Sequence, residues 1–95
     1  MIVVLDEPFS SAAAAQKEYA EQLDNERGRD AGGSQKTTLE PGIGERAYQT
    51  RGDPMMLALT AIQGSRIIAI AFVGAGATSV PAERLRDLMQ KALTR

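Results

Sequence analysis

The sequence predicts an α+β two-layer sandwich of order β-α-β-β-β-α, with a four-stranded, mostly antiparallel sheet and both helices on one face. Three observations point there. Two strongly apolar segments, 55–62 and 66–73, are joined through Gln63-Gly64, where glycine supplies the positive φ of a tight hairpin. Residues 85–93 repeat Leu85, Leu88, Met89, Ala92 and Leu93 at helical spacing. An alanine-rich run after Pro8 carries a second, weaker helical stripe.

Taken in order, Met1 to Leu5 is a β-branched apolar run that reads as a buried strand, stopped by Asp6-Glu7-Pro8. A helix follows, with Ser10 or Ser11 as N-cap, Phe9 as staple, Ala12, Ala15, Tyr19 and Leu23 inward, and Gly28 as C-cap. Residues 28–44 read as a flexible glycine-rich loop, lid-like at most and more simply a connection. From Glu45 the period falls to two, with Ala47, Gln49 and Arg51 alternating against Arg46, Tyr48 and Thr50, which predicts a half-exposed strand. Gly52-Asp53-Pro54 turns the chain into the hairpin, and Pro81 opens the final helix in its first turn.

The 95 residues, 43% apolar and 24% charged, fit a single domain with a modest core, either whole or excised from a larger protein. A formal charge of −1 offers no overall field for gripping nucleic acid or an anionic membrane. The chain has neither cysteine nor histidine, which excludes thiol nucleophiles, disulfides, imidazole bases and ordinary zinc or haem ligand sets. Met1 runs directly into Ile2–Leu5 without a basic leader, and the uncharged stretch 67–82 is broken by Gly74, Gly76 and Pro81, so a soluble chain without direct membrane insertion is expected. No cofactor and no metal are called for.

The central hairpin is apolar on both sides. Ile67, Ala69, Ala71 and Val73 point one way while Ile68, Ile70 and Phe72 point the other. A two-layer sandwich covers one face only, so the second predicts association with a partner or, in the isolated chain, a homodimer. Tyr48, Met56 and Ile70 are the candidate contacts, with Ile68 and Phe72 sharing the stripe of Ile70.

Gly74, Gly76, Thr78 and Ser79 form a glycine-rich turn between a strand and a helix, the setting for an anion at a helix N-terminus. Ser79 stands where a third glycine belongs, and Pro81 removes a donor. Gly42-Ile43-Gly44 imitates the same fingerprint ahead of a strand, and Arg51-Gly52-Asp53 is ordinary hairpin chemistry. Asp6, Glu7, Glu40 and Glu45 lack the spacing of a calcium loop and read as solvated charges beside turns.

Pro41-Gly42-Ile43-Gly44-Glu45-Arg46-Ala47-Tyr48, a glycine turn before Arg66-Ile67-Ile68, a leucine-spaced last helix and the Ala12 to Tyr19 helix resemble the closing half of actinobacterial cell-envelope lipoproteins of unknown function. They are similar also to the extracellular sensor domains of serine/threonine kinases from those bacteria. The resemblance implies an extracytoplasmic, sensor-like, non-enzymatic domain that binds a ligand or partner. With no cysteine, the chain carries no lipobox. The expected function is therefore a non-catalytic ligand-binding or protein-interaction domain associating through its open sheet face. A small anion- or nucleotide-binding enzyme using the 74–79 turn and a structural homo-oligomeric subunit are the alternatives.

Overall fold

The computed structural model describes residues 1–33, 35–52 and 55–94, with the side chains of Thr78 and Ala82 excepted. In chain order the elements are β1 (Ile2–Pro8), α1 (Ala12–Asp30), β2 (Lys36–Leu39), β3 (Arg46–Gly52), β4 (Met56–Gln63), β5 (Arg66–Val73), a 3-10 turn (Ala77–Ser79) and α2 (Ala82–Leu93). The sheet has five strands, not four, in the order β1-β5-β4-β3-β2, with every neighbouring pair antiparallel.

The added strand is β2, which lies inside the segment expected to be a flexible loop. Its four residues pair with β3, Thr37 opposite Thr50 and Leu39 opposite Tyr48. Too short and polar to show an apolar period, it is held by α1, which runs past Gly28 to Asp30. The Asp30 carboxylate accepts from the Thr37 backbone N–H at 2.9 Å and from its hydroxyl at 3.0 Å. One turn earlier, Glu26 accepts from the Gln35 amide at 2.7 Å. These bonds account for the helix outlasting its predicted glycine cap, and Arg27 and Arg29 in the last turn suit the dipole there. At the other end Ser11 is the N-cap, its Oγ accepting from the Ala14 N–H at 3.1 Å. Gly64 adopts φ 60° in the β4–β5 turn, as the sequence predicts.

The two helices lie on opposite faces of the sheet, which corrects the expected arrangement. Ile68, Ile70 and Phe72 of β5 pack with Leu57, Leu59 and Ala61 of β4 beneath Leu85, Met89 and Leu93 of α2. Ile67 and Ile62 pack instead with Tyr48 against Ala15, Tyr19 and Leu23 of α1. Adjacent strand residues point to opposite faces, so Ile67 and Ile68 belong under different helices. The doubly apolar hairpin is thus covered by α2 on one side and, at its turn end only, by α1 on the other. Pro81 is the N-cap of α2 rather than a residue of its first turn.

The path of α1 follows from the strand order. It leaves β1 at one edge of the sheet and delivers the chain to β2 at the other. Five strands put those edges about 19 Å apart, and 19 helical residues span about 28 Å. The helix therefore crosses obliquely, over Ile67 and Ile62 at the β4–β5 turn and on to Thr37 at the far edge.

Candidate interaction surface

An oblique helix leaves part of its face bare. Opposite the Val73 end of the sheet, Leu5 is 63% exposed and Val73 39% exposed, and between them lie the half-buried Val3, Met56, Ala58, Ala69 and Ala71. The register places all of them on the face of α1, through Val3 opposite Ala71, Leu5 opposite Ala69 and Met56 opposite Val73.

The bare area continues onto β1, the edge strand. The Val73 N–H donates to the Met1 carbonyl at 2.9 Å, and the Met1 amino group donates back to the Val73 carbonyl at 3.0 Å. Alternation along an antiparallel ladder then turns the backbone groups of Met1, Val3, Leu5 and Glu7 toward β5 and those of Ile2, Val4 and Asp6 away from the sheet. The Phe9 N–H on the Ser65 carbonyl, at 2.7 Å, carries the same phase past Pro8. Ile2 and Val4 are 51% and 58% exposed and, with Ile70, form the sheet side of a groove of about 160 Å³ whose other wall is Leu88, Lys91 and Ala92 of α2.

At the far end of β1 an ion pair closes this surface. Arg66 grips Asp6 with two bonds, Nη2 to Oδ2 at 2.7 Å and Nε to Oδ1 at 3.2 Å. The hydrogen bond from Arg66, aided by its charge and opposed by partial burial, holds the Asp6 carboxyl below the usual range. The same contact pushes the guanidinium up.

A second cavity, about 290 Å³, opens at the β2–β3 connection and is lined by Leu39, Glu40, Pro41, Glu45 and Arg46, with Tyr19 beneath. The Arg46 guanidinium lies 4.8 Å from the centre of the Tyr19 ring, which tilts at 58° against Tyr48 with centroids 5.5 Å apart. Burial pushes both phenols up, the Arg46 charge partly offsetting this at Tyr19 and a hydrogen bond with Thr60 at Tyr48. Both phenols therefore stay neutral at physiological pH. The Tyr19 hydroxyl has no hydrogen-bond partner among the described residues, yet Tyr19 is 0% exposed, so a molecule in the cavity meets Arg46 rather than that oxygen.

The residues singled out from the sequence are distributed differently. Tyr48 is buried under α1, and Ile68, Ile70 and Phe72 are buried under α2, so the isolated chain does not present them as a face. Met56 lies half-buried on the bare area. In the glycine-rich turn, Gly74 and Gly76 take φ 123° and 82°, and the N–H groups of Gly74, Ala77, Ser79 and Val80 all donate to backbone carbonyls. Half of the six amides of the turn are thereby withdrawn from any anion. The Thr78 side chain and Asp53 of the Arg51-Gly52-Asp53 turn lie outside the described residues. Asp6 pairs with Arg66, Glu40 faces Arg86 at 3.9 Å and Glu45 accepts from Gln16 at 3.3 Å, so these acids are not brought together. No acidic cluster suited to a metal occurs among the described residues.

The feature that sequence reasoning missed is β1, expected as a buried strand and found as an exposed edge. Its signal was Pro8, which has no N–H to give and so belongs at a strand end or on an edge. Among the described residues no helix is long and apolar enough to cross a membrane. Comparison with known proteins finds no family model, curated protein or solved structure that matches the chain.

Proposed function

We propose that this domain is a non-catalytic interaction module, sensor-like in recognising a partner rather than transforming a substrate, and that it works through the β1 side of its sheet. One observation carries the reading. Met1, Ile2, Val4 and Leu5 expose between 51% and 87% of their surface on a single edge strand, next to the bare part of the α1 face. Contiguous apolar surface of this kind marks interaction sites in soluble proteins. A cell-envelope setting rests on the resemblance, of whose Pro41–Tyr48 motif Pro41, Glu45, Arg46 and Ala47 line the second cavity.

The rival is an anion-binding enzyme at Gly74–Ser79. It is less well supported because the Gly74, Ala77 and Ser79 amides already donate to backbone carbonyls. A thermal-shift screen against nucleotides, sugars and lipids separates the two, since a ligand at a hundred times its Kd stabilises the native state by about 2.7 kcal/mol. No phosphorylated compound is expected to raise the Tm. Selective stabilisation by one of them, abolished by Gly76→Asp, overturns the proposal.

A further inference from the structure

We infer that the partner for β1 is a second copy of this chain, paired antiparallel edge to edge with the two-fold axis through Val4, so that two five-stranded sheets continue into one of ten. The inference deepens the reading of the domain as an interaction module and rests on it.

The two edges of the sheet differ in the way that separates a protected edge from an available one. β2 is four residues long, with Lys36, Thr37 and Thr38 in it, and natural edges are blunted by such shortness and such charge. β1 is seven residues long and apolar from Ile2 to Leu5. Among the described residues no strand pairs with its outward N–H and C=O groups.

Those outward groups also specify a register. They belong to Ile2, Val4 and Asp6, and Pro8, next in phase, has no N–H. A two-fold axis at Val4 pairs Val4 with its own copy and Ile2 with Asp6 of the second copy, which uses all three residues on both sides. Moving the axis to Val3 sets Ile2 against Val4 and Leu5 against Met1 of the second copy, and takes Asp6 away from the groove that Lys91 borders. Moving it to Leu5 sets Ile2 against the donorless Pro8 and Val3 against Glu7 of the second copy. Only the Val4 axis places Val3 opposite Leu5 of the second copy, an apolar pair on the bare α1 side. On the other side it brings Asp6 of the second copy across from Ile2, in the groove that Lys91 borders, which supplies opposite charge.

The area is sufficient for reversible association. At their observed exposures, Met1, Ile2, Val4 and Leu5 present on the order of 500 Å² of largely apolar surface, more than half of the roughly 800 Å² that each partner gives to a standard interface. A dimer that dissociates in the micromolar range is expected.

Because the chain has no cysteine, one introduced thiol reports one contact. Hydrogen-bonded antiparallel partners have Cα atoms about 5.5 Å apart, inside the range a disulfide spans. Val4→Cys is compared under mild oxidation with Leu39→Cys, placed on β2 at a similar exposure, 54% against 58%. Val4→Cys is expected to cross-link to dimer about tenfold faster or more, because paired thiols meet at a high effective concentration. Sedimentation equilibrium of the wild type is expected to show a monomer–dimer equilibrium, and Val4→Pro to abolish it, since proline removes an outward N–H and leaves the β1–β5 ladder whole.

A wild type that stays monomeric across the micromolar range overturns the inference, as does cross-linking of Val4→Cys no faster than Leu39→Cys, or a Val4→Pro protein that still dimerises. If Val4→Pro does not fold, the cysteine pair decides. A monomeric wild type assigns β1 to a different chain and leaves the interaction module standing, whereas a phosphorylated ligand at Gly74–Ser79 removes the module itself.

Discussion

The two faces of the sheet are built from the same strands and finished differently. On one, α2 lies along β4 and β5 and buries Leu85, Met89 and Leu93 against aliphatic side chains, and Ile43 from the β2–β3 connection completes that core. On the other, α1 crosses obliquely over Ile62, Ile67 and Tyr48, using alanine, tyrosine and one leucine, with Thr50 and Thr60 also buried on that side. The first face is closed over β4 and β5, opens only at the β1 groove, and carries stability. The second is half open, and the open half adjoins the edge proposed for pairing. A helix that must connect opposite edges cannot also lie along the strands, so topology alone divides the sheet into a structural side and an available one.

The largest expected effect tests the closed face. Leu85→Ala, at a side chain 0% exposed, is expected to cost about 3 kcal/mol, roughly a fifth to three fifths of the stability of a domain this size. Leu23→Ala on the α1 face is expected to cost less, about 2 kcal/mol, because its cavity lies at the margin of a smaller cluster. Urea midpoints at equal m-values measure both, and a larger loss at Leu23 breaks the comparison.

Gly44→Ala tests the connection that completes the closed core. Gly44 has φ 55°, and a Cβ there meets the Ile62 carbonyl oxygen at 2.8 Å. Strain and backbone displacement together are expected to cost about 2 kcal/mol, whereas Gly42→Ala, with nothing within 4 Å of the new atom, pays only for its positive φ. Equal losses at the two glycines, read from thermal melts, contradict the close approach.

The half-open face holds the only orphaned buried side-chain polar atom among the described residues, the Tyr19 hydroxyl. Tyr19→Phe removes a group that folding desolvates without repayment, so it is expected to leave stability unchanged or raise it by up to about 1 kcal/mol. A loss beyond about 1 kcal/mol in chemical denaturation reveals a partner for that oxygen.

The smallest effect is electrostatic. Arg66 lowers the Asp6 carboxyl in the native state, so the pair contributes above the carboxyl's unfolded value near 3.8 and the contribution fades as pH falls through the lowered native value. Both side chains are substantially exposed, so screening keeps the effect small. Asp6→Asn is expected to flatten the acid limb of the stability curve slightly below about pH 4 and to change nothing at neutral pH beyond the lost pair. An unaltered acid limb shows that solvent and salt already screen the contact.

Much of this architecture was legible because it is encoded locally. The stripe of Leu85, Met89 and Leu93, the Ser11 cap, the hairpin glycine at 64 and the apolar parity of β5 each rest on residues a few positions apart. The apolar parity of the hairpin on both sides was legible too, though α2 and the turn end of α1 supply cover that was sought outside the chain. β2 was not, because Lys36-Thr37-Thr38-Leu39 becomes a strand only once β3 lies beside it and Asp30 holds its first threonine. The exposed edge was hidden for a related reason. Ile2-Val3-Val4-Leu5 reads the same whether a strand has one neighbour or two.

By itself the sequence determined the inward stripe of α2, that of α1 from Ala15 to Leu23, and the parity of β3, β4 and β5, since spacing of 3.6 or 2 sorts side chains before any element meets another. Only the tertiary structure decided which helix takes which face, where α1 stops covering, and which strand lacks a neighbour. Those outcomes depend on strand order, and strand order depends on contacts between residues as distant in sequence as Met1 and Val73, which no local period records.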